Sequence, residues 1–537
     1  MKKVGWILMA MTLVLSACGG PAPSEQSGQG EQKVLGMSEE QEPPMLDSAK
    51  SSDGVSFTVL ANTMEGLMTL DPHKRLVPGV AKEMPKVSQD GKTYTFHLRD
   101  AHWSDGSSVT AQDFEYAWKR ALNPKTASEY AFIFYDIENA QKYNQGKGKA
   151  ESVGVKALDD KTLKVTLQHP VPAFLSKTTV PSFYPQKKAF VEKMGKRYAQ
   201  ETDTLLYNGP FKLADWKHNS GWKYVKNEGY WDKDRVKLDE VSWKVVKDPG
   251  TGVNLYNTGE LDVTKLGGDF SSQFKDRKDF KSVSGASLGY LVMNQEQKLF
   301  SNEKVRRAVA SAIDREAHSK VVLKDVAPAA YGFVPPGITG DGEKTFREIV
   351  TEKKPKMDPA TAKKQFREGL QELGMKKAPQ LEYLTDDTEL NRKTAEFIQE
   401  QLKHQLGLEV KVRTQPLKAY LDSLMKKDYD IAFATWGAAY NDPLYFMDVW
   451  RTDGPYNYGG WSDPEYDRLL RAAEDTRDLE KQVRIAGKAE QILLEKAPMV
   501  PLYYRSYTYL WRENVKGLVR PPAGPSFLLK YTSVQGC

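Results

Sequence analysis

The chain has 537 residues, 77 of them Lys or Arg and 71 Asp or Glu, for a formal charge of +6. That length suits roughly three domains with more than one core. Bases and acids are interspersed without a long basic block, which argues against nucleic-acid binding.

At the N-terminus, Lys2 and Lys3 precede an apolar run over residues 4–15, closed by Leu15-Ser16-Ala17-Cys18. The run is too short to span a bilayer and reads as a signal peptide over 1–17. Small Ser16 and Ala17 before Cys18 are similar to a bacterial lipobox, in which the thiol takes a diacylglyceryl group; the alternative is a cleaved secretory signal that happens to contain a cysteine. Loss of Lys2 and Lys3 with the signal leaves +4 on the mature chain. Residues 18–33 (CGGPAPSEQSGQGEQK) have no large apolar side chain, cannot bury a core and read as a flexible linker. No later apolar run approaches the ~20 residues of a membrane helix. The other cysteine, Cys537, has no function legible in the sequence, and with Cys18 lipidated no disulfide forms within the mature chain.

Tyr94, Phe96 and Leu98 alternate directly after Asp90-Gly91, which predicts a hairpin turn feeding a strand. Residues 110–122 have helical spacing (Phe114, Ala117, Trp118, Ala121) with Thr110 as N-cap, and Leu163, Val165 and Leu167 alternate again. Residues 65–200 therefore read as a mixed α+β unit. Residues 302–316 predict one helix with Val305, Ala308, Val309, Ala312 and Ile313 on its buried stripe.

Further on, strand 381–384, helix 394–406 ended by Gly407, strand 408–412, helix 417–427 and strand 429–435 form an α/β unit with parallel neighbours. Ligands in such sheets sit beyond the carboxyl ends of the strands, which directs attention to the loop 436–443 (WGAAYNDP). The 57 aromatic residues, 20 Phe, 11 Trp and 26 Tyr, supply cores and also suit a broad cleft for mixed ligands.

Catalytic motifs fare poorly. Gly285-Ala286-Ser287-Leu288-Gly289 matches G-x-S-x-G, but Tyr290 to Met293 continue as a strand-like run where a nucleophile elbow needs a helix. The seven histidines form no H-E-x-x-H, and His97 with His102 is a weak pair. There is no P-loop and no G-x-G-x-x-G, so nucleotide hydrolysis belongs to another polypeptide, and no cofactor or metal is expected.

Several segments together carry a resemblance: TYTFHLRDAHWSDG (93–106), VTAQDFEYAWKR (109–120), NGPFK (208–212), YNTGELD (256–262), VRRAVASAID (305–314) and WGAAYNDP (436–443). In this order, over residues 33–520, the chain resembles the oligopeptide- and dipeptide-binding lipoproteins of bacterial ABC importers, the extracellular solute-binding proteins of family 5. The resemblance implies an α/β fold of the type II periplasmic-binding-protein class, two lobes with a hinge, in its three-domain peptide-binding variant. Domain I would comprise 34–64, 201–285 and 505–537. Domain II would be 65–200, and domain III, 286–504, would close over the ligand. A peptide would lie extended between strand edges, with its side chains in roomy hydrated pockets.

Carried over by position, one pairing edge is expected at Ser52, Gly54 and Val55, the other at Thr435, Trp436, Gly437 and Ala438, with Tyr130 lining the cleft. For Trp436 the plain alternative is a core aromatic at a strand end. Members that hold a free N-terminus usually have Asp where this chain has Ala439; Asp442 either substitutes for it or only caps the loop.

The expected protein is a lipid-anchored monomer on the extracytoplasmic face of a cell membrane, on the periplasmic side where an outer membrane exists. It would capture peptides for the permease and ATPase subunits of an importer and would not be an enzyme. The alternatives are a receptor for peptide pheromone or cell-wall fragments, and a carrier of a non-peptide solute.

Overall fold

The computed structural model describes residues 33–324, 326–341, 344–354, 358–438, 440–454 and 456–535. Cys18, Ala439 and Cys537, singled out above, lie outside them, as does the 1–17 segment.

A ten-stranded sheet crosses most of the molecule. Its order is Val410–Gln415, Leu381–Asp386, Ile431–Gly437, Phe280–Met293, Met499–Trp511, Val263–Leu266, Val34–Glu39, Glu240–Val245, Gly221–Lys226 and Phe211–Lys217. At one end, Leu381–Asp386 runs parallel to both of its neighbours, as the strand–helix–strand spacing predicted. The two long central strands pair antiparallel from Phe280 opposite Leu510 to Val292 opposite Met499, with a break over residues 285–287. Their register shifts between Ser284 and Leu288. A bulge there adds twist where the chain passes from one half of the sheet to the other.

Side chains of the central strands alternate between two cores. Leu288, Tyr290, Val292, Ala432 and Ala434 pack with Phe333, Trp450 and Tyr466 on one face. Leu291, Met293, Ile431 and Phe433 pack with Ile398, Leu402 and Tyr503 on the other. Strands buried on both faces are near-continuous apolar runs, which is why the 290–293 segment YLVM shows no polar alternation. Each such side chain contributes about 1.5–3 kcal/mol on burial.

A separate antiparallel sheet of four strands, Lys86–Val87, Thr93–His97, Thr162–Thr166 and Val155–Asp159, lies within residues 65–200. The hairpin at Asp90-Gly91 forms as expected, with Gly91 at φ +71°. Helix Ala111–Leu122 packs against this sheet; the Asp113 carboxylate accepts the Thr110 N–H (3.0 Å) and closes its first turn.

Three expectations need correction. Residues 302–316 are not one helix: Glu303–Ala312 ends at an extended Ile313, and Asp314 caps a second helix, Arg315–Val321, by accepting the Ala317 N–H at 2.9 Å. An Asp at the end of an apolar stripe competes for the backbone and restarts the helix. The 417–427 helix stops at Met425. The segment from Ser52 to Val55 is not a strand edge but the start of helix Gly54–Thr63: Asp53 caps it, accepting the N–H groups of Val55 (3.0 Å) and Ser56 (2.9 Å). Ser287 sits within strand Phe280–Met293, opposite Gly437, and on no elbow.

Candidate functional site: a strand edge beside a buried charge cluster

Strand Ile431–Gly437 has two neighbours only over its first part. Its pairing to Leu381–Asp386 ends at Ala432, while pairing to Phe280–Met293 continues through Gly437. Ala438 donates its N–H to Ala286 O (2.8 Å), on the Phe280–Met293 side. Backbone groups alternate along an antiparallel strand, so those of Phe433, Thr435 and Gly437 point the opposite way. The Phe433 carbonyl is stoppered by the Tyr420 hydroxyl (2.5 Å). Beyond it Thr435 and Gly437 are exposed, with their N–H and C=O groups along an open edge. Such an edge recruits an extended chain by main-chain hydrogen bonds.

Trp436, between them, is half-buried. Its indole N–H donates to Tyr445 O (3.3 Å) and its ring lies 5.5 Å from Tyr445 and 5.0 Å from Tyr456. It is thus both a strand-end packing residue and a wall beside the edge.

The loop after the edge runs into a cluster of buried charges. Asp442 is only 5% exposed; it caps the short helix Pro443–Met447, accepting the Leu444 N–H at 2.8 Å, with Pro443 at the first helical position. Burial raises its carboxyl to about 7 against the pull of that N–H and of Lys177, while Asp448 and Asp136 add to the rise. Lys177, 6% exposed, is ion-paired to Asp136 and lies 4.4 Å from the centre of the Tyr440 ring. Ser176 donates to Asn441 O (3.3 Å), so this corner joins the 65–200 unit to the 436–443 loop.

On the other wall, Tyr130 packs edge-on against Phe57 (5.4 Å) and beside Phe132. Burial pushes its phenol up, and Tyr456, Asp53 and Glu129 add to the rise. Tyr130 thus sits within electrostatic reach of Tyr456, the residue against Trp436. Ser52 donates its hydroxyl to Glu129 (2.7 Å) at this rim, beside exposed Gly54, while Val55 turns inward.

The structure thus brings together Trp436, Tyr456 and Tyr130, and puts Asp442 in a capping role. Asp136, Lys177, Tyr456 and Glu129 escaped the sequence reading. The only signal for Lys177 was a lone lysine inside the apolar stretch 171–185. Among the described residues no group of three or more His, Cys, Asp or Glu is placed to hold a metal, and no helix is long and apolar enough to cross a membrane.

Comparison with known proteins agrees in outline. Residues 75–458 match the model of the bacterial extracellular solute-binding proteins, family 5 (middle). The dipeptide-binding protein DppE of Bacillus subtilis (strain 168) is 36% identical over 532 residues, covering 97% of each chain. OppA of Listeria monocytogenes, solved bound to peptide, superposes with a TM-score of 0.75 at 39% identity, over 95% of this chain and 100% of that one. The substrate-binding domain of an oligopeptide ABC transporter from Bacillus anthracis gives 0.75 at 38% identity, over 94% and 99%.

Proposed function

This chain belongs to the family-5 bacterial extracellular solute-binding proteins, and on that premise we propose that it captures peptides outside the cytoplasm and delivers them to an ABC importer. The observation that carries this reading is the open edge at Thr435 and Gly437. Two N–H and two C=O groups facing a cleft suit a peptide backbone and leave its side chains unread. Trp436, Tyr456 and Tyr130 are then the cleft walls, and Ser52 and Gly54 its rim.

The register shift between Ser284 and Leu288 falls at the expected junction of residues 285 and 286, opposite Ser506 and Tyr504. That supports domain I as 34–64, 201–285 and 505–537, domain II as 65–200, domain III as 286–504, and a hinge in the two long strands. The lipid anchor at Cys18 rests on residues 1–18 alone. In this reading the monomer is tethered at the membrane surface by the 18–33 linker, and permease and ATPase subunits supply transport.

The test is to purify the body from Gly19 onward without denaturant and identify what it carries by native mass spectrometry. Mixed short peptides support general peptide capture. One defined species points to a dedicated receptor, and a non-peptide cargo refutes the reading. Gly437→Pro, which removes one edge N–H, is expected to weaken peptide binding about tenfold or more, since each lost backbone bond to a buried partner costs about 1–3 kcal/mol. Ala439→Asp is expected to tighten binding of free-amine peptides in calorimetry; unchanged or weaker binding means that another group receives the amine.

A further inference from the structure

A cavity of about 500 Å³ lies in the second half of the chain, and none of its lining residues belongs to the edge or loop described above. Ala310, Val350, Leu494, Met499 and Pro501 give it apolar walls. Arg315 lines it and is 9% exposed.

The acids around this cavity are already engaged. Glu490 accepts the N–H groups of Phe333 (2.7 Å) and Val334 (3.0 Å) and pairs with both terminal nitrogens of Arg347. Glu352 accepts the Tyr504 hydroxyl and lies 3.3 Å from Arg347, and Glu495 accepts from Gln491 (2.7 Å). Arg315 differs from Arg347 in having no carboxylate within 4 Å among the described residues. Its Nε donates to Pro501 O (2.7 Å) and its guanidinium lies 5.4 Å from the centre of the Tyr331 ring, which leaves the two terminal nitrogens for the cavity. Burial pulls it down to about 10, against the opposing pull of Tyr331 and of Asp314, which makes no direct ion pair with it. Lys353 and Lys354 stand at the rim, Lys354 5.5 Å from the Tyr331 ring centre.

We propose that this cavity is a second binding site, which takes a small organic carboxylate with an apolar body, held by the free fork of Arg315. A planar guanidinium fork matches a carboxylate in two parallel hydrogen bonds. The aliphatic walls take the rest of the molecule, and the volume is that of an ordinary small-molecule pocket. The rim lysines favour an anion over a neutral ligand.

The probe is octanoate, titrated calorimetrically into the full-length protein, with octanamide as its neutral counterpart. Octanoate is expected to bind one to one, about tenfold or more tighter than octanamide, as a charge-assisted pair requires. Arg315→Lys is expected to lose that preference. Ala310→Trp fills the cavity without touching the guanidinium; it is expected to abolish octanoate binding while peptide capture persists. Equal affinities for acid and amide, no octanoate binding at about 10 mM, or full binding by Ala310→Trp would each overturn the proposal. None of these outcomes bears on the peptide edge, which is read separately by peptide titration.

Discussion

Two buried charge clusters differ in how completely they are satisfied. In one, Glu65 is 4% exposed, accepts from the Tyr230 hydroxyl (2.5 Å) and the Trp231 indole (2.6 Å), and is ion-paired at 3.6 Å with Lys530, which also pairs with Asp232 at 2.8 Å. Its backbone N–H and C=O are held by the Asn208 side chain. Residues from two distant parts of the chain close on one carboxylate, and each of its oxygens has a donor. In the other, Lys177 faces three carboxylates, those of Asp136, Asp442 and Asp448, with one direct partner among them. Asp448 is shared with Arg451 (2.9 Å), and among the described residues the Asp442 carboxylate accepts the Leu444 N–H alone. A satisfied network locks a junction; one with surplus acid titrates and can rearrange. The first ties residue 65 to residues 230–232 and 530, the second lies beside the open edge at Thr435 and Gly437.

Glu65→Ala breaks the comparison most sharply. It leaves the Tyr230 hydroxyl and the Trp231 indole without their acceptor and Lys530 with Asp232 alone, and a loss of about 3–5 kcal/mol in urea unfolding is expected. Lys177→Met comes next. It leaves Asp136 without its ammonium, and a loss of about 2–3 kcal/mol is expected at pH 8, falling toward pH 5 as Asp442 takes up its proton. Unfolding at the two pH values checks it.

Asp442→Asn isolates the titrating group. A carboxyl raised from 3.8 to about 7 holds its proton in the folded chain and releases it in the unfolded chain over that window. The unfolded state then binds fewer protons, so the group's contribution, complete below pH 3.8, is lost as pH rises through 7. Asn keeps the cap and cannot ionise. The variant is expected to be more stable than the parent at pH 8, by about 1–3 kcal/mol, with a flatter profile between pH 4 and 7. A parallel profile would mean that Asp442 does not titrate there. The smallest effect belongs to His169→Ala: this half-exposed ring lies 3.9 Å from Asp136, and less than about 0.5 kcal/mol is expected.

Much of the fold was legible because its signals are local. Alternation at Tyr94, Phe96 and Leu98, the stripe of Ala111–Leu122 and the Gly407 terminus, at φ +68°, each depend on a few neighbouring residues. The Asp53 cap was missed because a Ser-Ser-Asp-Gly run suits both a helix start and the loop expected there, and the 302–316 stripe hid the restart at Asp314. At the candidate site, the α/β pattern pointed to the loop from Trp436 and the family resemblance to the edge from Thr435 to Ala438, while nothing pointed to Lys177 or Tyr456: the one meets Tyr440 and the other Trp436 only after folding.

By itself the sequence determined the family and the class of fold, because periodicity, caps and ordered motifs are written in adjacent residues. Only the tertiary structure decided which edge is left open, since that depends on where the Leu381–Asp386 strand stops pairing. It likewise decided that Asp442 caps a helix among other acids, and that Arg347 pairs with Glu490 while Arg315 has no carboxylate within 4 Å among the described residues. Charge partners in a folded chain are set by distances through space, and residues 143 positions apart, such as Arg347 and Glu490, leave no local trace of their pairing.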